Sequence, residues 1–103
     1  MQAVGFLEVY GLTAALVAAD AACKAARVTI DAIDNNKPKN ADALPVPVIV
    51  LIKLRGSLED VRMAVEAGVE AANRISEVVT FHVIPRPDTE TEKLLKINAL
   101  AKK

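Results

Sequence analysis

The run LTAALVAADAACKAA, from Leu12 to Ala26, sets the tightest limit on what this chain can fold into. Alanine is the best helix former, and the apolar residues recur at helical spacing, so the run predicts a helix. Thr13 is its expected N-cap. Asp20 and Lys24 lie four apart on one face, in the favourable acid-before-base order. A helix this rich in alanine must approach another surface closely, either a sheet or a neighbouring subunit. Aromatic residues make up only 3% of the chain and tryptophan is absent. The core must therefore be Ala, Val, Ile and Leu.

Strand-like segments surround this helix. AVGFLEVYG (Ala3–Gly11) is rich in Val, Phe, Leu and Tyr and is stopped by Gly11. RVTIDAID (Arg27–Asp34) alternates Val28, Ile30 and Ala32 against Thr29, Asp31 and Ile33, as a half-exposed strand does. VIVLIKLRG (Val48–Gly56) is nearly continuous in β-branched and apolar residues, the mark of a central strand. A second helix is expected over Ser57–Ile75. Ser57 and Asp60 there approximate a capping box, and Leu58, Val61, Val65, Val69 and Ala72 form the stripe. Gly68 inside that helix costs about 1 kcal/mol relative to Ala, which points to tight packing. VVTFHVIP (Val78–Pro85) is a fourth strand stopped by prolines. The tail from Asp88 has its acids first and its bases last, with Leu94, Leu95, Ile97 and Leu100 apolar, and predicts a terminal helix capped by Asp88 or Thr89. The order β–α–β–β–α–β is the split βαβ, ferredoxin-like pattern of the α+β class. Two helices are expected on one face of a four-stranded antiparallel sheet, with domain limits at 1–87 and a helical tail at 88–103.

Several function classes are disfavoured. The formal net charge is zero, and Lys and Arg form no stripe with aromatics, so no nucleic-acid surface is expected. The first residues lack the pattern of a signal peptide, and no stretch reaches a membrane span, so a soluble cytosolic protein is expected. Cys23 cannot form an internal disulfide and reads as a small buried helix residue. His82, in the last strand, reads as packed or hydrogen-bonded rather than catalytic. Glu59, Asp60, Glu66, Glu70, Glu90 and Glu92 read as solvated carboxylates. There is no metal-ligand spacing and no Gly-rich phosphate loop, so no metal and no cofactor are expected. The residues point to an assembly or binding module and away from an enzyme.

Three stretches carry a family likeness. VGFLEVYGLTAALVAADAACKAARVTI matches, at Gly5, Glu8, Gly11, Asp20, Lys24, Ala25 and Ala26, a strand–helix–strand opening. LRGSLEDVRMAVEAGVEAANRI matches an Arg-Gly turn and Ala-Gly helix at Arg55, Gly56, Ala67 and Gly68. FHVIPRP matches a His-Val-Ile-Pro-Arg-Pro signature through His82, Val83, Ile84, Pro85, Arg86 and Pro87. Over residues 3–87 the chain resembles the single-domain shell proteins of bacterial microcompartments. The resemblance implies a homohexamer with a central pore, tiling with other hexamers and shell proteins into a cytoplasmic shell around encapsulated enzymes. It also implies that Lys24 and Arg86, with Arg27 beside them, lie at the hexamer edge. A ligand-sensing regulator and a small isomerase-type enzyme on the same fold are the alternatives.

One segment departs from the family. NNKPKNADALPVP, residues 35–47, holds three of the chain's five prolines and no glycine. It stands where the family has a short glycine turn that lines the pore, and is about nine residues longer than a hairpin connection of that kind needs. Lys37, Pro38, Lys39, Asn40 and Ala41 are the expected pore-region residues. Six such loops either narrow the axis or lie back and leave a wider opening.

Overall fold

The structure is a computed structural model that describes residues 2–36 and 48–95. Along the chain come β1 (Ala3–Tyr10), α1 (Leu12–Ala25), β2 (Thr29–Asn36), β3 (Ile49–Gly56), α2 (Leu58–Asn73), β4 (Val78–Ile84) and α3 (Thr89–Leu95). The strands form one sheet in the order β2-β3-β1-β4, antiparallel throughout. The run Val48–Gly56 thus supplies an interior strand, as its apolar continuity requires, and β2 and β4 are the edges.

Two turns set the helix starts. Gly11 has φ of 91°, a conformation open to glycine and strained for other residues, and it occupies the N-cap of α1. Thr13 therefore does not cap this helix: it falls inside the first turn, and α1 has no side-chain cap bond. Ser57 does cap α2. The Asp60 N–H donates to Ser57 Oγ at 3.1 Å, and the Ser57 hydroxyl donates to Asp60 Oδ2 at 2.8 Å.

α1 and α2 pack together on one face of the sheet. α1 buries Ala14, Ala15, Ala18, Ala19 and Ala22, and α2 buries Val61, Ala64, Val65, Gly68, Ala71 and Ala72. Beneath them lie Leu7 and Val9 of β1 and Val50, Ile52 and Leu54 of β3. A side chain at Gly68 would put its Cβ 2.8 Å from Leu7 Cδ2 and 3.3 Å from the Ala18 carbonyl oxygen. The helix pair closes to bare backbone there, which explains a glycine in mid-helix. Cys23 is exposed, against the expectation of burial. It falls past the edge of the narrow alanine stripe, about 100° around the helix from Ala22.

β2 corrects the expected alternation. Ile30 pairs with Leu54 and Ala32 with Lys53, so Asp31 is an extra residue in a bulge. Ile30 is consequently 43% exposed while Ala32 is buried, and the two do not share a continuous face. The face of the sheet away from α1 and α2 is covered in part by α3. There Leu95 is buried and Leu94 is exposed. Asp88 begins α3, accepting from the Glu90 N–H at 3.0 Å.

Candidate functional site

The strand register gives the sheet two distinct ends. At one, Thr29, Arg55, Val4 and Ile84 form a row across all four strands. Lys24 stands in the last turn of α1, Arg27 just precedes β2, and Arg86 just follows β4. All three expected edge residues therefore gather at this end, on separate elements. Arg27 and Arg86 flank opposite edges, about 14 Å apart at ordinary strand spacing. At the other end, Asn36, Ile49 and Tyr10 share a row, and the loop leaves β2 and enters β3 there. β3 between the two rows spans about 20 Å. Lys37, Pro38, Lys39, Asn40 and Ala41 lie outside the described residues.

Lys24, Arg27 and Arg86 are each exposed. Lys24 Nζ lies 2.8 Å from Asp20 Oδ2, the i,i+4 pair its spacing predicts. That hydrogen bond, with the charge of Asp20, holds the Lys24 ammonium above the usual lysine range. The Arg27 N–H donates to Asp60 Oδ1 at 3.4 Å, which ties the start of β2 to the first turn of α2. Arg86 sits between exposed Pro85 and buried Pro87.

A second polar cluster lies on the α3 side of the sheet. Lys53 and Arg55 alternate along β3 and so point to the same face. Lys53 Nζ is 2.6 Å from Asp34 Oδ2, with both side chains nearly buried, and donates to the Leu94 carbonyl at 3.2 Å. Arg55 forks Glu92 through two bonds of 2.8 Å and reaches Asp31 Oδ2 at 3.0 Å. Its guanidinium is held above the usual arginine range, chiefly by the bond to Glu92; burial opposes this and Asp31 adds to it. Glu92 is therefore no simple solvated carboxylate. The signal was present in the sequence as two cations set two apart in an otherwise apolar strand, but their partners follow only from the register.

The family model described as BMC domain matches residues 3–87. The chain belongs to the BMC-domain family. It is 44% identical over 94 residues to the bacterial microcompartment shell protein PduA of Citrobacter freundii, covering 91% of each chain. It is 36% identical over 97 residues to the shell protein EutM of Escherichia coli K12, covering 94% of this chain and 91% of that one. It is 40% identical over 97 residues to the carboxysome shell protein CcmK2 of Synechocystis, covering 92% and 85%. These relatives are named as shell proteins rather than enzymes. A crystal structure of a microcompartments protein from Desulfitobacterium hafniense shares the fold with a TM-score of 0.71 at 22% identity. The match covers 93% of this chain and 47% of that one, so the present chain spans about half its length.

Within the BMC domain, His82 is exposed rather than packed, because β4 is an edge strand whose middle positions all meet solvent. The described residues hold no group of three or more potential metal ligands, and none of their helices is long and apolar enough to cross a membrane. A surface depression along α2 is lined by Leu58, Glu59, Arg62 and Met63, with no histidine or thiol among them. The family match ends at Pro87, so the polar cluster joins the BMC domain, through Asp31, Asp34, Lys53 and Arg55, to Glu92 of the segment beyond it.

Proposed function

We propose that this chain is a structural shell protein of a bacterial microcompartment in the cytoplasm. Six copies form a ring, and rings tile with one another and with other shell proteins into facets around encapsulated enzymes. Lys24, Arg86 and, beside them, Arg27 face the rim of the ring. The loop between Asn36 and Val48 borders a central pore for small metabolites. The 1–87 segment is the tiling domain and 88–103 is an appended tail.

The observation that carries this reading is the separation of the two ends of the sheet. The three cations gather at the Thr29–Ile84 row, and the loop departs from the opposite row about 20 Å away. A subunit of a ring needs that polarity: one end for the axis and one for the rim. The relatives named as shell proteins support the same assignment. Zero formal net charge also limits repulsion between copies in a dense layer.

Lys24→Ala tests it. The variant should elute as the same oligomer on size-exclusion chromatography and form no extended sheets by electron microscopy. Sheets that persist in the variant would remove Lys24 from the rim.

A further inference from the structure

We propose that α3 is a strap held on the sheet by ion pairs, which salt releases as a unit while the two-helix core stays folded. The strap is built locally. Asp88 accepts from the Glu90 N–H through its carboxylate at 3.0 Å and from the Glu92 N–H through its carbonyl at 3.1 Å. Lys93 pairs with Glu90 inside the same helix. Its connection to β4 is Pro85-Arg86-Pro87, where two prolines withdraw N–H donors and end the sheet ladder.

Charged bonds and one buried apolar side chain hold the strap on the sheet. Arg55 forks Glu92 with two bonds of 2.8 Å, and Lys53 donates to the Leu94 carbonyl at 3.2 Å. The apolar contribution centres on Leu95, which is 1% exposed but stands outside the cluster that joins α1, α2 and the sheet. Lifting the strap therefore leaves that cluster whole. A helix of seven residues has little stability alone, so the freed strap unwinds.

The charged groups on that face are suited to water. Once Glu92 leaves, Lys53 still has Asp34 at 2.6 Å and Arg55 still has Asp31 at 3.0 Å. Two cations then face two carboxylates, and neither cation is abandoned in a dry site. Charge-assisted bonds at a partly exposed site weaken as salt shortens the screening length, whereas apolar contacts do not. The two layers on the sheet thus respond differently to one variable.

Amine acetylation of the full chain, read by mass spectrometry, tests this because Lys53 is shielded only while the strap is closed. A lysine-containing peptide added to the same mixture serves as the reference. Raising salt from about 0.1 M to about 1 M should increase Lys53 labelling about fivefold or more relative to that peptide. Hydrogen exchange in β1 and β3 should stay unchanged. Glu92→Gln should reach the high-salt level already at low salt, and Glu90→Gln, which loses only a bond within α3, should label as the parent does. Lys53 labelling that ignores salt would overturn the proposal. So would labelling that rises only together with exchange in β1 and β3. Neither Lys53 nor Glu92 enters the shell reading, so the two stand or fall separately.

Discussion

On one face of the sheet, Leu7, Ile52 and Leu54 lie under the alanines of α1 and the valines of α2. On the other, the same strands present Val4, Lys53 and Arg55, and about two turns of helix bond to the two cations. The first face is held by shape. Its partners approach until a glycine is required at position 68, and any added atom must displace another. The second is held by pairing. Its charged groups are tolerated because each has a partner within hydrogen-bond reach. One strand, β3, serves both rules through its alternation, with Leu54 on one side and Lys53 and Arg55 on the other.

Three substitutions put pressure on this contrast, in falling order of effect. Leu54→Ala should cost about 3 to 4 kcal/mol in urea denaturation, because the close-packed face cannot collapse into the space. A loss under about 1 kcal/mol would show that this face is looser than its packing implies. Lys53→Met should cost about 3 kcal/mol, since it leaves the Asp34 carboxylate buried without its cation. Adding Asp34→Leu to that variant should recover most of the loss. If the double variant is no better than the single one, pairing is not what holds the second face. Ser57→Ala removes the exposed cap bond from the Asp60 N–H and the hydroxyl bond to its carboxylate, and belongs to neither face. It should cost about 1 kcal/mol, which calibrates the other two.

The close-packed face was legible in the sequence. Helical spacing at Val61, Val65 and Ala72 named the stripe of α2, Ser57 named its cap, and Gly68 announced a close approach. These are local signals, fixed by the period of a helix. The paired face was not legible in the same way. Alternation placed Ile30 with Ala32, but the bulge at Asp31 breaks that count, and no composition marks a bulge in advance. The partners of Lys53 and Arg55 come from β2 and α3, so they emerge only once strand register and the course of the tail are set. Thr13 and Cys23 failed for simpler reasons. A glycine with positive φ took over the cap, and the alanine stripe proved one position too narrow to hide the thiol. For the candidate site, the likeness of FHVIPRP and the Lys24 segment to the family picked out residues that the fold then gathers at one end of the sheet. Spacing alone would have left Lys24 as the partner of Asp20.

The exposed Cys23 has a practical consequence. It is the only thiol in the chain and is the neighbour in sequence of Lys24. A maleimide dye would therefore attach at a single known point on the outer surface of α1. Its emission would report the surroundings of the proposed rim directly, from free rings to packed layers. The molecule carries its own labelling position at the place where its assembly is to be watched.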